Sequence, residues 1–303
     1  MKKSVSLLMA GLMLCGALAG CGNDNDTKGK DDASAGGAST VDTAPADTGM
    51  SGAITVISRE DGSGTRGAFV ELTGVEDDNG DNTTPDAEIQ SKTDAVLTSV
   101  SGNKKAIGYI SLGSLNDSVK ALKVDGAEAT TANVQNGSYQ LARPFNIATK
   151  GEPTGVAADF INFIMSADGQ AVVANDYIPV DDGAAAFTSD GSAGQIAIGG
   201  SSSVYPLMEK LVEAYKAVNP NAQIDLQSSD SSSGMTGTID GTFAIGMASR
   251  GLKDKEAAEL TATAIAMDGI AVIVNPENTV DGLTMDQIRS IYVGETTDWA
   301  DVA

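Results

Sequence analysis

Histidine is absent from this sequence, and tryptophan occurs only once. The missing imidazole removes the commonest general base and the commonest metal ligand, and it excludes Ser-His-Asp chemistry outright. Basic residues are scarce as well: 19 Lys and Arg stand against 41 Asp and Glu, a net charge of −22. A chain so acidic repels nucleic-acid phosphates, which argues against that class of partner. Any anion site must also be local and enclosed, because the overall field does not help it. At 303 residues and 41% hydrophobic, the chain is long enough for one large domain or two lobes.

Only two cysteines occur, Cys15 and Cys21. Residues 1–20, MKKSVSLLMAGLMLCGALAG, open on Lys2 and Lys3 and continue in an apolar run too short to span a bilayer comfortably. The run ends in Leu18-Ala19-Gly20-Cys21, which looks like a bacterial lipobox, with Cys21 the lipidated first residue of the mature chain. The alternative is an ordinary signal peptide with a chance cysteine. Cleavage would remove Cys15 and leave no pair for an intramolecular disulfide. The expected location is the extracytoplasmic face of the cell membrane, held by a lipid anchor. Residues 21–50 are rich in Asp, Ala, Gly, Thr and Ser and can bury no core, so they read as a flexible tether reaching roughly 30 Å.

The most informative stretch is 53–69, AITVISREDGSGTRGAF. Ile54 and Val56 read as a strand, Gly62-Ser63-Gly64-Thr65 as a turn, and Arg66 to Phe69 as the start of a helix. Such a turn leaves backbone N–H groups without carbonyl partners, and the helix dipole adds partial positive charge there, so it favours an anion. Ser63 and Thr65 add hydroxyl donors, and Arg59 adds a planar fork of N–H donors. Asp61 needs a purpose beside an anion: to hold Arg59, or to accept a proton carried by the ligand. Phosphate near neutral pH carries such a proton and sulfate does not, so an acceptor here would separate them. Two other readings compete. GSGTRG fits the G-x-G-x-x-G dinucleotide pattern, but the acid wanted about 20 residues on would fall in a polar loop. A Gly-rich turn without any ligand is the other.

Further along, 76–86 reads as a solvated acidic loop, 87–100 as a helix, and 106–112, 119–124 and 139–148 as strands. Pro144 demotes the middle of the last to an edge or a crossover. In 153–173, Phe160, Ile161, Phe163, Ile164 and Met165 lie near helical spacing and read as core. Residues 181–194, DDGAAAFTSDGSAG, read as a second linker. Three serine-rich tracts then follow strands: GGSSSVYPL before a helix at 208–217, SSDSSSGM after the alternating strand QIDLQ, and the end of FAIGMASR. Serine tracts are usually linkers, but three at strand ends look like N–H and O–H donors gathered around one anion.

With these segments the chain resembles the phosphate-binding lipoproteins of bacterial phosphate ABC transporters. The resemblance is carried by GSSSVYPLMEKL, SSDSSSGM, IGMASRGLKDKE, IAMDGIAVIVNPEN, LTMDQIRSIYVGE and TDW, together with ISREDGSGTRGAF, IGYISLG and YQLARPFNI. It covers most of 53–180 and 195–303. The order differs from the family's: the half that usually comes second stands first. The chain therefore looks like a circular permutant, with 181–194 joining the usual ends; a truncated tandem gene or a misassembled reading frame is the alternative.

The resemblance implies an α/β, two-lobed type II periplasmic-binding-protein fold. One lobe would comprise 51–140 plus 270–303 and the other 141–269, with crossovers near Pro144 and Asp268. It further implies capture of inorganic phosphate for delivery to a membrane permease, with no cofactor, no metal and no catalysis. The implied ligands are Arg59, Asp61, Ser63, Gly64 and Thr65 from one lobe, and Ser203, Val204 (through its N–H) and Ser231 from the other. Ser249 falls where some members have Asp, which would leave Asp61 with most of the proton recognition. Competing functions are a module for another tetrahedral oxyanion such as sulfate, a phosphate-sensing surface protein, and an interaction protein with a vestigial cleft.

Overall fold

The computed structural model describes residues 49–181 and 183–302. The expected signal peptide, the expected lipidation site Cys21 and the expected tether up to Thr48 lie outside the described residues. The chain begins with β1 (Thr55–Arg59), α1 (Gly64–Thr73), a ribbon of β2 (Glu76–Asp77) and β3 (Gly80–Asp81), and β4 (Glu88–Gln90). Then come α2 (Thr93–Gly102), β5 (Ala106–Ser111), the short β6 (Lys120–Ala121) and β7 (Lys123–Val124), and α3 (Thr131–Gln135). The middle runs β8 (Ala142–Thr149), α4 (Val156–Ile164), α5 (Ala167–Val173), β9 (Gly194–Ser201), α6 (Tyr205–Val218) and β10 (Ala222–Ser229). It continues through α7 (Ser231–Ile239), β11 (Ile245–Ala248), α8 (Asp254–Ala257) and β12 (Thr261–Val274), and closes with β13 (Gly282–Leu283) and α9 (Met285–Tyr292).

Strands pair in the order β10-β9-β11-β8-β12-β5-β1-β4. At one end β1 is parallel to β4 and β5, and at the other β9 is parallel to β10 and β11. Between them β8 and β12 run antiparallel to each other over most of their length. Hydrophobic side chains gather in two main cores. One holds Phe69, Ile107, Tyr109, Leu141, Ile270, Tyr292 and Trp299; the other holds Phe145, Ile147, Phe160, Phe163, Tyr215 and Ile265. The change from one core to the other falls between Leu141 and Phe145 on one strand and between Ala266 and Ile270 on the other. β5, parallel to β1 and antiparallel to β12, is buried along its whole length, as a central strand covered on both faces must be.

The expected helix over 87–100 is two elements. Glu88–Gln90 pairs with β1 as an edge strand, and helix begins only at Thr93. Pro144 sits where β8 has a single neighbour. It is opposite Met267 on β12, while β11 pairs only with Asn146 to Ala148, so its missing N–H leaves no bond unmade on the open side. Ile161 and Met165 are half-buried against the second core, which Phe160, Phe163 and Ile164 fill.

The two ends of the described chain are tied together. Ala53 and Asp298 form an antiparallel bridge, Ile54 N–H donates to Thr297 O at 2.8 Å, and Trp299 N–H donates to Gly52 O at 3.1 Å. The stretch 183–193 has no regular structure but is fastened down. Phe187 N–H donates to Asp168 Oδ2 at 2.6 Å, and its ring packs edge-on against Phe163 at 5.2 Å. The buried Asp159 carboxylate accepts from Ser189 Oγ, Asp190 N–H, Tyr215 OH and Asn219 Nδ2.

Candidate functional site

Parallel strands leave a crevice beyond their carboxyl ends, and the turns there lead into helices. In one half these are the turn after β1 and the start of α2; in the other they are the turns after β9, β10 and β11. The four helices α1, α2, α6 and α7 begin beside one another, so their unpartnered N–H groups and positive dipole ends converge. Ser63 caps α1, accepting from Arg66 N–H at 3.3 Å, and Asp230 caps α7, accepting from Ser233 N–H at 2.9 Å. Neither α2 nor α6 has a side-chain cap.

Hydroxyls from both halves meet at this point. Thr65 Oγ1 lies 2.8 Å from Ser203 Oγ and 3.4 Å from Ser249 Oγ. Thr93 Oγ1 lies 3.3 Å from Ser203 Oγ and 3.4 Å from Ser202 Oγ. Ser201 Oγ donates to Ser249 Oγ at 3.0 Å, and Ser249 N–H donates to Ser231 Oγ at 3.1 Å. All of these residues are buried. A hydroxyl both donates and accepts, so the set can bond to itself or turn its hydrogens toward an anion.

Arg59 supplies the charge. It is 2% exposed, donates through Nη2 to Ser202 Oγ at 3.1 Å, and reaches Thr93 Oγ1 from Nη1 at 3.5 Å. Its Nε and Nη2 are held by the two Glu60 oxygens, each at 2.8 Å, a bidentate pair that fixes the guanidinium plane. Its backbone N–H donates to Tyr109 OH at 3.2 Å. Burial pushes the Tyr109 hydroxyl up to about 12, so it stays protonated, and its ring stacks on Phe69 at 3.9 Å. The aromatic core therefore braces the turn from behind.

Gly64 is required by proximity. A Cβ there would lie 2.5 Å from Ser231 Oγ and 2.8 Å from Ser249 Oγ. The turns of the two halves also touch directly, Ser232 N–H donating to Gly62 O at 3.2 Å.

Of the expected ligands, the structure brings together Arg59, Gly64, Thr65, Ser203, Ser231 and Ser249, while the buried Ser63 turns its hydroxyl to the Arg66 N–H as the cap of α1. Val204 is adjacent and fully buried, but its N–H donates to Ser201 O at 3.1 Å within the turn. Asp61 departs from expectation. Its side chain is 97% exposed and pairs with Arg66 at 2.7 Å on the outside of the turn. The chain reverses at Asp61-Gly62, which turns the Glu60 carboxylate toward Arg59 and the Asp61 carboxylate toward solvent. Sequence reasoning missed Glu60, Thr93, Ser201 and Ser202. Ser201 and Ser202 stand in the same serine tract as Ser203, and Glu60 is next to Arg59, but nothing near Thr93 announces it.

A cavity of about 180 Å³, lined by Thr93, Ser202, Tyr205, Lys92, Asp94 and Ser114, adjoins the hydroxyl cluster. Among the described residues no group of acidic or cysteine side chains could hold a metal ion. No helix among them is long and apolar enough to cross a membrane.

Comparison with known proteins adds family information. Residues 25–168 and 185–303 match a PBP superfamily domain. The phosphate-binding protein PstS 2 of Streptococcus agalactiae is 47% identical over 310 residues, covering 99% of this chain and 98% of that one. PstS 2 of Streptococcus pneumoniae is 48% identical over 254 residues, covering 82% of this chain and 87% of its own. PstS of Bacillus subtilis, by contrast, is 36% identical over 134 residues, 43% of this chain and 42% of its own. Among solved structures, a phosphate-binding protein of a phosphate ABC transporter from Streptococcus pneumoniae superposes with a TM-score of 0.67 at 47% identity. It covers 83% of this chain and 100% of that one. Nearly end-to-end alignment means that the streptococcal relatives share this chain's order of segments.

Proposed function

The chain belongs to the PBP superfamily, and on that premise we propose that it is an extracytoplasmic solute-binding protein that captures inorganic phosphate for an ABC importer. The observation that carries this is the buried cluster in which Thr65 and Thr93 from one half meet Ser203 and Ser249 from the other around the Arg59 guanidinium. The phosphate oxygens would take hydrogen bonds from Thr65, Thr93, Ser203, Ser231 and Ser249, from the first N–H groups of α1, and from the Arg59 edge left free by Glu60. Charge-assisted bonds of this kind are the strong ones, and few waters compete for them in an enclosed site. Capture needs no nucleophile or cofactor, so the role is binding rather than catalysis.

Closure is a hinge motion about β8 and β12, the strands shared by the two cores, with 51–140 plus 270–303 moving against 141–269. Cys21 anchors the chain by lipid, and the tether lets the body reach its permease. The permuted order is an inherited arrangement: the paired ends at Ala53 and Asp298 favour it, as does the segment order common to the streptococcal relatives. Calorimetric titration of ligand-stripped protein with phosphate tests the function. Heat of binding and a rise in melting temperature are expected, and absence of both would sink it.

A second reading has one observation in its favour. Asp61 points to solvent and Ser249 is a hydroxyl; Glu60 is spent on Arg59 and Asp230 on capping α7, and among the described residues the hydroxyls of Thr65, Thr93, Ser203, Ser231 and Ser249 bond to one another rather than to a carboxylate. A site of that make-up accepts sulfate or another tetrahedral oxyanion with less penalty. A parallel titration with sulfate separates the two readings.

A further inference from the structure

The least satisfied part of the interior lies where β8 and β12 pass from one core to the other. Arg143 on β8 stands opposite Asp268 on β12, the two being 2% and 1% exposed. One bond joins them, from Arg143 Nη2 to Asp268 Oδ2 at 3.1 Å. Arg143 Nε and Nη1 are buried with no acceptor, the neighbouring Tyr177 hydroxyl makes no hydrogen bond, and the Ser111 hydroxyl beside Asp268 makes none of good geometry; Ser114 Oγ, one residue past Gly113, is orphaned as well. Guanidinium carries five N–H donors in a rigid fork. One that commits so few of them keeps much of its positive field. Orphaned buried polar groups are costly, and so many in one place need a reason.

Their location supplies one. Gly113 N–H donates to Asp268 Oδ1 at 3.4 Å. The next residue, Ser114, lines the 180 Å³ cavity together with Thr93 and Ser202, which hold the Arg59 guanidinium. A single turn therefore touches Asp268 on one side and the anion cluster's cavity on the other. Arg59 is also close enough for its charge to disfavour charge on Arg143. Two buried guanidiniums that repel each other are relieved when an anion enters.

We propose that Arg143 is a second cation serving the anion site, and that Asp268 sets how much of its charge the bound anion feels. This rests on the oxyanion-binding reading above. Arg143 does not touch the anion in this arrangement; it acts through space as a positioning charge. With Asp268 ionised the pair is close to neutral. With Asp268 neutral, a unit positive charge stands uncompensated beside the turn that reaches the anion cavity, enough through protein of moderate dielectric to change anion affinity on the order of tenfold.

The groups facing Asp268 are Arg143 from β8, Ser111 and the Gly113 N–H from the end of β5, Tyr177 from the segment before the Ile178 bridge, and more distantly Tyr139. Burial raises the Asp268 carboxyl to about 6, with Arg143 opposing the rise. At pH 8 the carboxyl is ionised, and at pH 5 it is protonated. Anion binding should therefore draw in a proton and gain strength as pH falls through about 6.

Phosphate titrations of wild type, Asp268→Asn and the double variant Arg143→Met/Asp268→Asn at pH 8 and pH 5 test this, with melting curves to certify folding. Phosphate's own titration is common to all three and cancels in ratios. Asp268→Asn should bind about tenfold tighter than wild type at pH 8 and about equally at pH 5, and the double variant should lose the gain. Should Asp268→Asn fail to fold, Arg143→Lys must keep wild-type affinity while Arg143→Gln loses it. A folded Asp268→Asn no tighter at pH 8, or tighter by the same factor at both pH values, would overturn the proposal. So would equal affinities for the Lys and Gln variants. Wild type that binds no phosphate would instead bring down the functional reading itself.

Discussion

Thr65 and Ser203 hold their hydroxyls 2.8 Å apart across 138 residues of chain. Each comes from a different half, and each is buried at or just before the start of a helix. Replacing either should leave the folds of the two halves intact and weaken what they hold between them. Thr65→Val and Ser203→Ala are each expected to reduce phosphate affinity roughly tenfold to hundredfold, the usual worth of a hydrogen bond to a charged group. The melting temperature without ligand should fall by only a few degrees, and calorimetric titration reads the first effect separately from the second.

Glu60, not Asp61, fixes the guanidinium of Arg59. Arg59→Lys removes the planar fork and should cost at least a hundredfold in affinity, since a lysine cannot replace a bidentate contact. Glu60→Gln keeps one acceptor and should cost about tenfold. Asp61→Asn should change phosphate affinity by less than about twofold, because an exposed ion pair contributes little. A large loss with Asp61→Asn would return Asp61 to the site.

Gly64 is pressed between the two halves. Gly64→Ala would drive a methyl group against Ser231 and Ser249, and overpacking of that kind costs about 1–3 kcal/mol. The cost falls only where the halves meet. Reduced ligand-induced compaction in small-angle scattering should therefore accompany the loss of affinity.

Asp159 fastens the mid-chain segment. Burial alone would raise its pKa, but the hydrogen bonds from Tyr215, Asp190, Ser189 and Asn219 outweigh it and hold it below the ordinary value. A depressed carboxylate contributes stability above the unfolded pKa, about 3.9, and loses that contribution as pH falls through the folded value. Asp159→Ala should thus destabilise by about 3 kcal/mol at pH 7. The gap from wild type should shrink below about pH 4, as followed by urea unfolding at several pH values.

The proposed permutation has its own test. Opening the chain at Gly183, ahead of the Phe187 and Ser189 contacts, and joining Val302 to Gly49 through a short glycine linker should give a folded protein. Its phosphate affinity should match that of the natural order, because every contact of the cluster is kept. A product that folds but does not bind would show that the position of the break matters to closure.

Much of this was legible in residue order. Strand ends announced themselves where apolar runs gave way to Gly and Ser, and Pro206 marked the first turn of α6. The core residues Phe160 and Phe163 showed their helical spacing. What stayed hidden depended on direction rather than composition. Glu60 and Asp61 are chemically near-identical neighbours, and only the angle of one reversing turn decides which faces Arg59. Thr93 contributes because α2 aims at the cleft, which no local pattern around it encodes. The strand at Glu88–Gln90 was obscured because it leans on β1 alone and runs almost at once into a helix.

The clasp between Gly52 and Asp298 also has a mechanical meaning. Any tug on the chain ahead of Gly49 enters the body beside the terminal residues, at Met50, Ile54, Trp299 and Val302, all packed on one core. On the hinge proposed above, such a load enters one core and bypasses the crossing strands. If the proposed anchor holds, the molecule is restrained at its root without loading the proposed hinge.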